Sequence, residues 1–138
     1  MLWRLLHGEF DGLSPESIVL LIGTNHVGHG DFSADELAGG IAEILRVLGE
    51  KCPRSRILLM GLLPRGVDPG DRVRQKCEAV NALLPQVTNG DRVVYLNVNS
   101  ALQEDDGRLS QAIAPDGLHL SAEADERLGR AIAEKLQS

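Results

Sequence analysis

The stretch Ser17-Ile18-Val19-Leu20-Leu21-Ile22 is a continuous apolar run, and Gly23 ends it. Its apolar and partly β-branched composition predicts a strand that is buried on both faces, as in parallel sheets. Residues 56–61 and 93–96 form two similar runs further along the chain. The three runs therefore predict a buried sheet of at least three strands.

Apolar residues at helical spacing separate these runs and predict amphipathic helices. Ser33 and Glu36 form a capping-box pattern in front of the first helix, whose predicted inner face contains Leu37, Ile41, Ile44, Leu45 and Leu48. A second pattern covers residues 73–87, where we expect Pro85 to end the helix, and Ser121 can cap a last helix. The alternation of strands and helices predicts one α/β domain, residues 1–138, with helices on both faces of a parallel sheet.

Composition and charge exclude several classes of protein. The 138 residues have a net charge of −6, which argues against a nucleic-acid partner. The longest apolar run is too short to cross a bilayer, and no signal-peptide pattern is visible. Cys52 and Cys77 fit reduced thiols, so we expect a cytoplasmic protein.

Three segments with polar residues follow the predicted strands, and loops at the carboxyl ends of parallel strands share one edge of the sheet. In Asp116-Gly117-Leu118-His119, the carboxylate can orient the imidazole through Nδ1 and leave Nε2 as a general base. Asn25, after Gly23, can donate from its side-chain amide to an oxyanion. The alternatives are a polar loop for Asp116 and His119, and an ordinary turn residue for Asn25.

Other polar residues favour structural explanations. His26 and His29 match no zinc-ligand spacing, so we expect exposed loop histidines, no metal and no cofactor. Arg65 can clamp an anion, or it can be a solvated residue that pairs with a helix end. The Gly39-Gly40 pair is unfavourable inside a helix, and a close approach of helix and sheet would explain it.

Taken together, these segments resemble the SGNH (GDSL) hydrolase superfamily. The Gly23-Thr24-Asn25 and Asp116-Gly117-Leu118-His119 blocks are similar to its Gly-x-Asn and Asp-x-x-His motifs. The string Gly61-Leu62-Leu63-Pro64-Arg65-Gly66 is similar to the catalytic subunits of intracellular platelet-activating-factor acetylhydrolase and their bacterial relatives. The resemblance implies a flavodoxin-like three-layer α/β/α fold and serine esterase activity on short acyl esters. It also implies that His119 is the base, Asp116 its orienter and Asn25 an oxyanion-hole donor.

The chain departs from the family pattern at its beginning. The Gly-Asp-Ser nucleophile motif and the first two strands of the family precede the region that resembles residues 1–8, and no serine here lies in that context. We therefore expect no nucleophile and little or no activity from this chain alone. The alternatives are a shortened product of a longer hydrolase gene and a catalytically inactive binding or assembly module. In either case, we expect the bare edge at residues 17–22 to be covered by a second copy in a homo-oligomer, by a swapped segment or by a separate partner.

Overall fold

A computed structural model describes residues 1–88 and 90–138. The sequence Asn89-Gly90-Asp91 predicts a turn, and this turn lies partly outside the described residues. The strands of the described chain are β1, Ser17–Leu20; β2, Arg56–Met60; and β3, Val93–Leu96. The helices are α1, Leu2–Leu6; α2, Thr24–His29; α3, Ala34–Lys51; α4, Arg72–Leu83, followed by a 3-10 turn at Leu84–Val87; α5, Asn99–Leu102; and α6, Ala122–Gln137.

The strands form a parallel sheet in the order β1-β2-β3. Ile18 pairs with Ile57, and Ile57 pairs with Val93, so the strands begin at the same level. Parallel strands need crossover connections, and α3 and α4 supply them. The predicted α/β class and parallel sheet are confirmed.

Alternate side chains of the strands enter two separate cores on opposite faces of the sheet. The first core joins Ile18, Leu20, Ile57 and Leu59 to the inner faces of α3 and α4. The second joins Leu58 and Met60 to α5, to buried residues near Ile113 and to α6. The molecule thus has the predicted three layers, with the sheet between two helical layers.

The prediction that the first strand is buried on both faces is wrong. Ile18 and Leu20 are buried in the first core, but Val19 is 42% exposed and Leu21 is 41% exposed. No residue of β1 belongs to the second core, which covers only β2 and β3. The outer edge of β1 also carries no neighbouring strand in the described part of the chain. An apolar face and a row of backbone polar groups are therefore both open at β1.

The helix ends follow the sequence signals closely. The Ser33 hydroxyl accepts from the Glu36 N–H at 3.2 Å, and the Glu36 carboxylate accepts from the Ser33 N–H at 2.8 Å. These reciprocal bonds confirm the capping box at the start of α3. Pro85 lies in the 3-10 turn that ends α4, and the Ser121 hydroxyl caps α6.

Two local predictions need correction. Gly39 and Gly40 are exposed, and a Cβ added at either would meet nothing within 4 Å. These glycines therefore do not permit a close approach of α3 to the sheet. The sequence between β3 and His119 predicts one long loop, but this segment contains the short helix α5. The helix begins where Asn97 Oδ1 accepts from the Asn99 N–H at 2.9 Å.

Candidate active site

The Asp116–His119 turn forms the pair that its spacing predicts. Asp116 Oδ2 lies 2.7 Å from His119 Nδ1. Asp116 Oδ1 accepts from the backbone N–H groups of His119, at 2.7 Å, and Leu118, at 3.0 Å. The turn needs a positive φ of +72° at Gly117, which favours glycine. The carboxylate thus holds both the backbone and the ring of this turn.

The same contacts keep Asp116 ionised. The bond to the His119 ring, followed by the two backbone N–H groups, holds the pKa of the Asp116 carboxyl far below its usual range. A carboxylate that is ionised near neutral pH can orient Nδ1–H and stabilise a protonated imidazole. The His119 side chain is 79% exposed, so Nε2 is open to a reacting group. This arrangement suits a general base.

Asn25 lies in the first turn of α2. Gly23, with a φ of +119°, turns the chain from the end of β1 into this helix. Asn25 is exposed and lines an open cavity of about 260 Å³ together with Leu21–Gly23, Thr24 and His26. Its amide is therefore accessible at the carboxyl end of β1, where sites form in parallel sheets.

The loop after β2 joins the two segments. Arg65 Nη1 donates to the Thr24 carbonyl at 3.0 Å, and the Gly66 N–H donates to the Gly117 carbonyl at 2.8 Å. The structure thus brings the three loops together, as the strand topology predicts. The predicted contact of Arg65 with a helix end is present, because its guanidinium donates to the first residue of α2. The side chain is half-buried, so the prediction that it is solvated is wrong.

His26 and His29 were expected in a loop, but they lie in helix α2, and they do not gather into a metal site. His26 packs its ring edge-on against Phe32, with the ring centroids 5.6 Å apart, and His29 is exposed. Among residues 1–88 and 90–138, no group of three or more His, Cys, Asp or Glu side chains is placed to hold a metal ion. In the same residues, no helix is long and apolar enough to cross a membrane.

A buried amide cluster behind the site was not predicted. The Asn81 side chain accepts from the Leu62 N–H at 2.7 Å and donates to the Leu62 carbonyl at 2.9 Å. Asn99 Nδ2 donates to the same carbonyl at 3.0 Å, and the Tyr95 hydroxyl donates to the Asn81 carbonyl at 3.3 Å. These bonds fix the start of the loop that carries Arg65. An asparagine beside the apolar positions of α4 was the available signal.

The geometry agrees with a comparison against protein families. The model of the GDSL-like Lipase/Acylhydrolase family matches residues 2–127. The chain belongs to this family. Its Asp116–His119 turn and Asn25 lie within the matched region, as does the loop that joins them.

Curated relatives are similar to this GDSL-like chain over most of its length. Platelet-activating factor acetylhydrolase IB subunit alpha2 of Gallus gallus is 36% identical over 138 residues, covering 97% of this chain and 57% of the relative. Subunit alpha1 of Homo sapiens is 36% identical over 122 residues, covering 88% of this chain and 51% of the relative. The chain therefore spans about half the length of these relatives.

Solved structures share the fold of this GDSL-like chain. A putative platelet activating factor protein from Streptococcus pneumonia superposes with a TM-score of 0.80 at 25% identity, covering 97% of this chain and 66% of that chain. A GDSL-like lipase from Bacteroides thetaiotaomicron gives a TM-score of 0.81 at 22% identity, covering 99% and 68%. These superpositions support the SGNH-type α/β architecture.

Proposed function

We propose that this chain supplies the base, its orienting carboxylate and one oxyanion donor of a serine acylhydrolase that acts on short acyl esters. The observation that carries the proposal is the Asp116–His119 pair, with Oδ2 2.7 Å from Nδ1 and an exposed ring. The names of the relatives, which include acetylhydrolase subunits, support acetyl and other short acyl groups as the substrate class.

The proposed chemistry is acyl transfer through a covalent intermediate. His119 Nε2 takes the proton of a serine hydroxyl as the serine oxygen attacks the ester carbonyl, and the Asn25 amide donates to the developing oxyanion. Protonated His119 gives its proton to the departing alcohol, which leaves an acyl-serine. Water, activated by the same imidazole, then releases the carboxylic acid. Asp116 holds the ring throughout and stabilises its charged form.

The serine in this scheme comes from a segment outside these 138 residues. None of the serines lies in a Gly-Asp-Ser sequence, and removing a triad nucleophile leaves only residual catalysis. We therefore expect this chain alone to be inactive or weakly active. The open face and edge of β1 support a covering segment there, from a second copy or from another polypeptide. Cys52 and Cys77, both buried and free, support a cytoplasmic location.

The absence of a Gly-Asp-Ser sequence also favours a second candidate function, an inactive binding or assembly module. The genomic codons upstream of Met1 separate the two. An open reading frame that encodes Gly-Asp-Ser supports the hydrolase, and an in-frame stop codon with no such motif would favour the module.

The extended protein, or this chain if no extension exists, is then assayed with p-nitrophenyl acetate and treated with a fluorophosphonate probe before intact-mass analysis. We expect one adduct on the extended protein and none on the 138-residue chain. His119→Ala should abolish labelling, whereas His29→Ala, at an exposed histidine at the end of α2, should not. A stoichiometric adduct on the short chain would show that its nucleophile lies within it.

Light scattering that finds a stable monomer at micromolar concentration would argue against a second copy on β1.

A further inference from the structure

Two consecutive residues of the loop after β2 each contact one of the two proposed catalytic turns, the Asn25 turn and the Asp116–His119 turn. The Arg65 guanidinium reaches the Thr24 carbonyl, next to Asn25, through Nη1 at 3.0 Å. The Gly66 N–H reaches the Gly117 carbonyl, inside the Asp116–His119 turn, at 2.8 Å. The two turns, which are far apart in the sequence, are thus joined by a bridge only two residues long. We call Arg65 and Gly66 the Arg65–Gly66 bridge.

A buried arginine, Arg74, forms a hydrogen bond to the Arg65–Gly66 bridge. Arg74 is fully buried, and it donates from Nη2 to the Gly66 carbonyl at 2.6 Å and from Nη1 to the Gly107 carbonyl at 2.9 Å. Burying a guanidinium is costly unless its N–H groups are bonded, so these carbonyls are strongly constrained. Gly66 has a φ of +90°, and a Cβ there would lie 2.6 Å from the Asp71 carboxylate. Gly66 is therefore bonded through its N–H to Gly117 and through its carbonyl to Arg74, and a side chain at this position would be strained.

Helix α2, which carries Asn25, leaves space for the Arg65 side chain at Gly28. A Cβ added at Gly28 of α2 would overlap the Arg65 guanidinium, so the glycine leaves the space that the guanidinium occupies. The far end of α2 is held separately, because Lys76 Nζ donates to the Gly30 carbonyl at 2.8 Å. Arg65 thus sets the position of the Asn25 end, while Lys76 retains the helix.

We propose that Arg65 is a positioning residue that fixes the Asn25 turn relative to the Asp116–His119 turn. The catalytic meaning of this distance rests on the proposed function, but the mechanical coupling does not. Loss of the Arg65 bond should move Thr24 and Asn25 and, through the Gly66 peptide, loosen the bond to Gly117. Arg65→Lys keeps one donor for the Thr24 carbonyl and should restore the coupling in part.

The proposal is tested by NMR on the 138-residue chain labelled with ¹⁵N. The signals are the backbone amides of Asn25 and residues 117–119, and the hydrogen-exchange rate of the Gly66 amide. We compare Arg65→Met, Arg65→Lys and Gly28→Ala with the matched control Arg127→Met, an exposed arginine of α6 that pairs with Glu123. In Arg65→Met and Gly28→Ala, both turns should shift beyond the control, and the Gly66 amide should exchange about fivefold faster.

Gly28→Ala separates positioning from simple loss of stability. Alanine is a better helix former than glycine by about as much as one hydrogen bond contributes, which offsets the loss of the Arg65–Thr24 bond, so this variant should keep its thermal midpoint while it displaces the guanidinium. If residues 117–119 and the Gly66 amide stay unchanged in Gly28→Ala, the coupling is refuted, even if Arg65→Met fails to fold. Failure of Arg65→Lys to move the signals back would also refute a role for the donor. None of these measurements depends on acyl transfer. A negative esterase assay would therefore contradict the proposed function without deciding whether Arg65 couples the two turns.

Discussion

Replacement of Asn81 should lower the free energy of unfolding by more than the loss of a few side-chain atoms would, because its amide makes two buried hydrogen bonds. Its side-chain amide closes two bonds to Leu62, which is fully buried, at 2.7 and 2.9 Å. In Asn81→Ala, the Leu62 carbonyl keeps its bond from Asn99, but the Leu62 N–H loses its side-chain partner. A stranded buried N–H costs about 1–3 kcal/mol and the second lost bond about 1 kcal/mol. We expect a loss of about 2–4 kcal/mol, a large part of a typical stability.

Asn81→Asp provides a second, pH-dependent test of the same contacts. The carboxyl can still accept from the Leu62 N–H, but an oxygen replaces the amide that donates to the Leu62 carbonyl. Burial and this carbonyl should raise the pKa of the new carboxyl in the folded state above its unfolded value of about 3.9. The protonated form is then the stable one, so the variant should be most stable at low pH and lose stability, relative to wild type, as the pH rises through the raised pKa.

Urea unfolding followed by far-UV circular dichroism measures both effects, because Trp3 is 68% exposed and its fluorescence reports little on the core. Asn25→Ala is the matched control: the same substitution at an exposed position should change the stability by less than about 0.5 kcal/mol. If Asn81→Ala lowers the free energy of unfolding by less than about 1 kcal/mol, the two bonds to Leu62 do not stabilise the fold as argued. An Asn81→Asp penalty that is equal at pH 4.5 and pH 7 would refute the burial argument.

Four further outcomes follow from described contacts. Each of Gly39→Ala and Gly40→Ala should raise the stability by up to about 1 kcal/mol in urea unfolding, because both glycines are exposed within α3 and a Cβ there meets nothing. The Asp116 carboxyl, with its lowered pKa, should stay ionised in a ¹³C NMR titration down through its ordinary value of 3.8, so its bonds are retained above that pH and weaken only in stronger acid. Leu21→Lys should weaken any association through β1 in light scattering while leaving the fold intact, since Leu21 is 41% exposed. Burial raises the pKa of the Cys77 thiol, so a thiol reagent at pH 7 should react with it only after urea unfolds the chain.

The sequence predicted the elements well because their signals are local. The capping box at Ser33, the proline that ends α4 and the apolar runs of β2 and β3 each depend on neighbouring residues alone. The Asp116–His119 pair was also predictable, because three residues of spacing place both side chains on one turn. The same local pattern could not show that Val19 and Leu21 face outward, since that depends on which strands α6 covers.

The contacts that join the site loops were beyond local reasoning. The partners Arg65 and Thr24 lie 41 residues apart, and Leu62 and Asn81 lie 19 residues apart. Asn81 reaches Leu62 only because α4 packs against the sheet, and Arg65 reaches Thr24 only because the loop after β2 lies beside α2. The sequence alone does not identify either partner. The prediction from Gly39-Gly40 was wrong because small residues permit close packing without requiring it, and this face of α3 is open.

The strand order has a consequence for how the chain folds during synthesis. Because β1, β2 and β3 lie side by side in the order in which they are made, each new strand adds to an edge that already exists, and no later segment has to insert between earlier ones. The sheet can therefore form progressively as the ribosome releases the chain. Among the described strands β1 emerges first, and its edge gains β2 only after the residues of α2 and α3 have been made.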